Sequence, residues 1–363
     1  MSGPFEGLAP QPEAARLLEA ALAAPGHAYL LAGPPGSGKR LYAERFGAAL
    51  LDAPPRRIVS RTHPDLFVLE PAGTMILMED ARRLRRDLHM RPFEAARRVY
   101  LILGAHLLRD DSANALLKSL EEPPSYGVFV LVSDHADGML PTILSRVQLV
   151  PFRRFSTAEL TEATGNATAA RAAMGNLARA EQLAGDEATA ERRRAYLDIA
   201  RRSLTDPAFD PAEAAGVISS AANAAGKQAG KDVQAAATSQ IESTDDPKER
   251  KALEKRVDDR AKRVARRAEL EELLVALDTV AWWYRDVLAA HLGAESVVVH
   301  SDLAGEAVHD GESETPARLV RALSVLADRR RSFDLNVTPP LAIEALFHEL
   351  HGAGSDIARV VEA

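Results

Sequence analysis

Short apolar runs alternate with amphipathic stretches through the first 155 residues. "AYLLAG" (28–33), "RVYLILG" (98–104) and "GVFVLVS" (127–133) are apolar at consecutive positions and rich in strand formers, the pattern of strands covered on both faces. Between them Lys39–Leu51, Glu79–His89 and Asp111–Glu122 carry helical patterns. Strands alternating with helices predict an α/β fold, a parallel sheet with helices on both faces. Ligands of such sheets bind beyond the carboxyl ends of the strands.

After "VPFRRF" (150–155) the strand signals stop. "TAELTEATG" and "AARAAMGNLARAEQLAGD" predict two short helices of a small helical lid over 156–204. Residues 205–363 predict a wholly helical domain. Its first part, 205–247, is rich in Ala, Gly, Ser and Asp, and predicts a loosely packed helix pair plus a connector. A long unbroken helical pattern follows over 246–293. Its first half is polar on most faces and is expected to be exposed or bridging; its second half carries Leu270, Leu273, Leu274, Leu277, Val280 and Trp283 at core-forming spacing. Helices over about 315–332 and 339–351 close the pattern, with "NVTPP" (336–340) as turn and helix start.

Length and composition narrow the class. The 363 residues, 46% hydrophobic and 27% charged, suit two or three globular domains. No apolar stretch is long enough to span a bilayer, and the N-terminal residues lack the basic-then-apolar order of a signal peptide. The absence of cysteine excludes disulfides and thiolate metal sites, and agrees with a cytoplasmic location. A net charge of −7 argues against nonspecific nucleic-acid affinity of the molecule as a whole.

Gly33-Pro34-Pro35-Gly36-Ser37-Gly38-Lys39 fits seven positions of the phosphate-loop pattern G-x-x-x-x-G-K-[ST], between a strand and a helix. Glycines let backbone N–H groups turn toward phosphates, the helix N-terminus adds positive charge, and the lysine reaches the terminal phosphates. The eighth position, where a hydroxyl holds Mg²⁺, is Arg40. The neighbouring strand that should supply acids for metal and water offers Leu103 and Gly104 instead. Hydrolysis by this chain is therefore not expected, and no Mg²⁺ site of its own. Binding of ATP or ADP without turnover, and a loop that serves only to pack strand on helix, both remain open.

Residues 112–152, "SANALLKSLEEPPSYGVFVLVSDHADGMLPTILSRVQLVPF", resemble the AAA+ clamp-loader subunits of bacterial DNA polymerase III. Asn114 to Lys118, Leu120 to Pro124 and Leu140 to Arg146 carry the likeness, and "HPDLFVLEP" (63–71), residues 76–102 and "LLVALDTVAWWYRDVL" agree with it. Motor subunits (gamma or tau) keep the loop hydroxyl and the strand acids; this chain has neither, so it resembles the delta prime type. The resemblance implies an AAA+ core over 1–155, a helical lid over 156–204 and a helical collar over 205–363. It implies a structural subunit of a hetero-oligomer with gamma/tau and delta, within a nucleotidyltransferase holoenzyme, that helps place a sliding clamp on primed DNA. It also implies that Arg146, beside Ser145, reaches the ATP of a neighbouring motor as an arginine finger. The four-cysteine zinc module common in the family is replaced here by "DAPPRRIVSRT", so no zinc is expected.

Other chemistry-bearing residues have plainer readings. The basic run Arg250–Arg267 is interleaved with Glu254, Asp258 and Asp259, which predicts a solvated face with internal pairs, direct contact with DNA phosphates being the alternative. Glu121-Glu122-Pro123-Pro124 reads as a helix stop with surface charge. The histidines show no metal-ligand spacing, and Trp282 and Trp283 read as packing residues. Two rival functions stay open: an ATPase motor with unusual metal ligation, and a free-standing DNA-binding adaptor.

Overall fold

The computed structural model describes residues 3–71, 76, 78–108, 110–242, 246–333 and 339–352. The chain divides into two compact units, one running to Glu181 and one from Gln182. Expected domain limits at 155 and 204 thus stand beside a single limit at 181.

The first unit contains α1 (Pro12–Ala23), β1 (Ala28–Ala32), α2 (Lys39–Leu50), α3 (Pro55–Val59), β2 (Leu66–Leu69), α4 (Met78–Asp87), β3 (Arg98–Leu103), α5 (Asp110–Glu121), β4 (Gly127–Ser133), α6 (Pro141–Leu144) and β5 (Gln148–Pro151). The strands form a parallel sheet in the order β2-β3-β4-β1-β5. Successive residues of its inner strands face opposite layers. Tyr29, Leu31, Val99, Leu101, Val128 and Val130 pack with Leu18 of α1 and Phe46 of α2. Leu30, Tyr100, Ile102, Phe129 and Leu131 pack with Leu84 of α4 and Leu116 of α5. Double-sided burial is why β1, β3 and β4 are continuous apolar runs. β2 and β5 are edge strands, only partly buried, and their runs are correspondingly short.

Past the sheet, α7 (Thr157–Thr164), α8 (Ala167–Ala172) and α9 (Leu177–Gly185) follow. The second of the two expected lid helices is thus broken in two. Met174 and Gly175 take left-handed φ values of 51° and 83°, and Asn176 N-caps α9 by accepting from the Arg179 N–H at 3.0 Å. A reciprocal capping box between Ser156 and Glu159 starts α7. Glu159 also takes a bidentate bond from Arg153, and that pairing holds its carboxyl at a pKa of about 2.

The second unit contains α10 (Glu187–Thr205), α11 (Pro211–Glu242), α12 (Pro247–His291), α13 (Ala304–Glu312), α14 (Pro316–Phe333) and α15 (Pro339–Gly352). Leu277, Val280, Trp283, Tyr284 and Val287 of α12 form the spine of its core, against Tyr196, Ile218, Leu319 and Phe347. The loosely packed pair expected within 205–247 is instead one continuous 32-residue helix, α11. Gly226 and Gly230 do not break it because they lie against Ala265 and Ala261 of α12, where absence of a side chain permits close approach. Helix α13 escapes the hydrophobic pattern because "AGEAVHDGE" has too few apolar residues to show a stripe. Trp283 is fully buried, whereas Trp282 is half-buried with the Arg285 guanidinium 5.3 Å from its ring centre. Of the expected turn 336–340, residues 336–338 lie outside the described residues. Among the described residues, no helix is long and apolar enough to cross a membrane.

Candidate phosphate-loop site

Strand β1 delivers the chain directly into the glycine loop at the carboxyl edge of the sheet. Gly33 is needed for close approach, since a Cβ there would stand 2.3 Å from the Phe152 carbonyl oxygen. Gly36 and Gly38 adopt φ of +72° and +84°, and Gly38 is the residue from which α2 starts at Lys39. Pro35 is exposed, while Ser37 is fully buried.

The Lys39 ammonium is turned back into its own loop. Nζ donates to the carbonyls of Gly33 at 2.7 Å and Pro34 at 2.6 Å, to Ser37 Oγ at 3.2 Å, and pairs with Asp134 Oδ1 at 2.9 Å. Its side chain is 4% exposed, and desolvation lowers the lysine pKa although Asp134 works in the opposite direction. Asp134 immediately follows β4, whose Ser133 is in register with Ala32 at the end of β1. That adjacency brings its carboxylate to the loop. The motif pattern does not reach Asp134; a residue just past a central strand, at the edge where ligands bind, was the available signal.

Gln11 is a second residue outside the motif. Its amide donates to the Ser37 carbonyl at 3.1 Å and the Arg153 carbonyl at 2.8 Å, tying the loop to the exit of β5. On the other side, the Leu177 N–H donates to the Gly36 carbonyl at 3.1 Å, and a Cβ on Gly36 would fall 2.1 Å from the Asn176 side chain. Loop, N-terminal segment and lid are thus joined by direct bonds.

Arg40 sits where the motif has a hydroxyl. Its guanidinium is paired with Glu44 at 3.0 Å and Glu70 at 3.4 Å. At the end of β3, Leu103 is buried and Gly104 has φ of +67°. No carboxylate is supplied by either position, and among the described residues no group of side chains has the make-up of a metal site.

Arg146 lies at the other end of the sheet. Gln148 opens β5 in register with Tyr29, whereas the loop begins after Ala32, three residues or about 10 Å of strand further on. The side chain is pinned on that far edge: Nη1 donates to the Thr142 carbonyl at 2.9 Å and Ser145 Oγ at 3.0 Å, and Nη2 pairs with Glu121 at 2.8 Å. Ser145 Oγ in turn donates to the Thr142 carbonyl at 3.0 Å. Arg146 and the loop residues are therefore not brought together within one chain.

The "HPD" segment is structural. Asp65, fully buried, accepts from the N–H groups of Phe93, Glu94 and Ala95 at 2.6, 2.9 and 2.8 Å, and from Arg98 at 3.3 Å. Burial alone would raise its pKa, but these donors together lower it. His63 accepts the Asp65 N–H at Nδ1, at 3.1 Å, and burial lowers its pKa.

Residues 11–156 match the family model described as DNA polymerase III, delta subunit. The delta prime subunit of Pseudomonas aeruginosa DNA polymerase III is 40% identical over 134 residues, 33% of this chain and 41% of that one. The Bacillus subtilis delta prime subunit is 34% identical over 138 residues, 35% of this chain and 42% of its own length. The chain thus spans less than half of these relatives. In fold, it is similar to a DNA polymerase III gamma subunit-related protein from Thermotoga maritima, with a TM-score of 0.51 at 17% identity over 94% of this chain and 99% of that one. The parallel sheet and the helical C-terminal region agree with that fold, and residues 11–156 are similar to the delta prime subunits of the DNA polymerase III clamp loader.

Proposed function

We propose that this chain is a structural AAA+ subunit of a clamp loader, one that does not hydrolyse ATP itself and offers Arg146 to the nucleotide of a neighbouring gamma/tau subunit. The observation that carries this reading is the placement of Arg146 at the sheet edge opposite its own phosphate loop. If that arginine meets a phosphate, the phosphate belongs to another molecule. A guanidinium held beside a γ-phosphate stabilises charge in phosphoryl transfer and is worth about 10³–10⁵ in rate. Arg40 and Leu103–Gly104 stand in place of the hydroxyl and acids that would organise Mg²⁺, which supports a loop without turnover. Its glycines still suit a phosphate, and Lys39 could exchange its carbonyl partners for one, so ATP or ADP held without turnover is the furthest chemistry it supports. The partners of this reading are gamma/tau and delta in a hetero-oligomer, the sliding clamp, and primed DNA met through the complex, in a bacterial cytoplasm.

The test is reconstitution with gamma/tau and delta. Arg146→Ala should assemble normally and lose clamp- and DNA-stimulated ATP turnover; undiminished turnover removes the finger role. The rival motor reading is favoured by the intact Lys39 beside Asp134. It requires lysine-dependent hydrolysis by the purified chain, measured with Mg·ATP against Lys39→Ala.

A further inference from the structure

The long hairpin of α11 and α12 sorts its charges. Its seam is built from small residues: Gly226 and Gly230 of α11 meet Ala265 and Ala261 of α12. Of the acids that interrupt the basic run in sequence, Asp258 turns toward this side. Asp258 accepts from the Gln234 amide of α11 at 3.1 Å, and Glu254 stands one turn before it. The solvent side of α12 carries Lys248, Lys251, Lys255, Lys262, Arg263 and Arg266, all exposed, with Asp259 as the acid among them. Arg267, at the border of that face, is paired with Glu271 at 2.7 Å. The solvated face expected from the interleaving is present, and on it six exposed cations stand with one acid, Asp259. A basic stripe runs along one face of a protein whose net charge is −7.

We infer that this stripe binds the phosphate backbone of duplex nucleic acid. From Lys248 to Arg266 it extends about 27 Å along the helix, the length of about eight phosphates on one strand. Helical rise separates successive cations by between about 1.5 and 10 Å along the axis, so several can contact phosphates of one backbone at once. A helix that lies in a lipid surface sets an apolar face into it. Among the described residues, α12 exposes no large apolar side chain. Lysines and arginines without groove-reading groups give affinity that is strong in low salt and indifferent to sequence. The inference holds whether or not Arg146 serves a neighbour.

The experiment is anisotropy of a labelled duplex oligonucleotide titrated with the whole chain between roughly 50 and 200 mM salt. With four or five phosphates engaged, log K should fall against log salt with a slope of about −4. Combined Lys255→Gln, Lys262→Gln, Arg263→Gln and Arg266→Gln should weaken binding at least about tenfold and flatten that slope, while circular dichroism shows the helices intact. The corresponding Glu variant should abolish binding, and Arg146→Ala should leave it unchanged. No duplex binding at low salt, equal affinity and slope in wild type and the Gln variant, or preference for polyglutamate over duplex would each overturn the inference.

Discussion

Glu121 Oε1 accepts from Arg146 Nη2 at 2.8 Å, joining the last residue of α5 to the arginine that precedes β5. The glutamate that reads in sequence as part of a helix stop is the one that holds the proposed finger in the isolated chain. Both side chains are more than a third exposed, so their pairing is worth less than about 1 kcal/mol. A contact that weak can orient Arg146 and release it to a stronger anion. Glu121→Ala should therefore change chain stability by less than about 1 kcal/mol and retain stimulated turnover in the reconstituted complex, where Arg146→Ala loses it. Denaturant midpoints and ATPase assays on the two variants side by side check this.

The Lys39–Asp134 pair behaves differently because its lysine is enclosed. Removing the carboxylate leaves a buried ammonium with only carbonyl and hydroxyl partners. Asp134→Ala should cost about 1–3 kcal/mol. Lys39→Met/Asp134→Ala should cost less than the sum of the single changes, because the second substitution removes the charge that the first stranded. A double-mutant cycle on urea midpoints measures the coupling, and additive effects would show that the pair contributes nothing of its own.

Asp65 predicts an acid limit for the first unit. Its folded pKa lies below the reference value of 3.8, so the folded form binds the proton less readily than the unfolded chain. Its contribution is complete above about pH 4 and is lost as pH falls through the lower folded value. Asp65→Asn should cost about 2–4 kcal/mol at neutral pH. The gap between wild type and variant should narrow below about pH 4. Thermal melts of both proteins at pH 7 and pH 3 read the difference directly.

Legibility in the sequence followed burial. β1, β3 and β4 are covered on both faces and had to be written in apolar residues, so their positions show. β2 and β5 are edge strands under weaker constraint, and α13 contributes little beyond Ala307 to the core. The loop Gly33–Lys39 was visible because backbone geometry demands glycine at fixed offsets. Asp134 and Gln11 were not, since each reaches the loop from another segment through the sheet or a side-chain amide. The basic run was visible as composition, but its meaning depends on which residues face α11. A one-dimensional reading averages Asp258 with the cations around it; in the hairpin Asp258 bonds to Gln234 of α11 while those cations stay exposed.

The same hairpin sets two glycine substitutions against each other. Gly216 and Gly226 both lie inside α11, where alanine is intrinsically favoured by about 1 kcal/mol. Nothing stands within 4 Å of a Cβ at Gly216, so Gly216→Ala should raise stability by about 0.5–1 kcal/mol. A Cβ at Gly226 would meet the Glu269 side chain and stand 2.9 Å from the Ala265 carbonyl oxygen, which is helix backbone and cannot swing aside. Gly226→Ala must push the two helices apart, giving up the close contact that lets a seam of alanine and glycine hold, and should lower stability by about 1–3 kcal/mol despite its better propensity. Melting temperatures of the two variants, moving in opposite directions from wild type, verify that the seam sets the geometry of the arm. A gain at both positions would mean that α11 and α12 are not held in tight contact there.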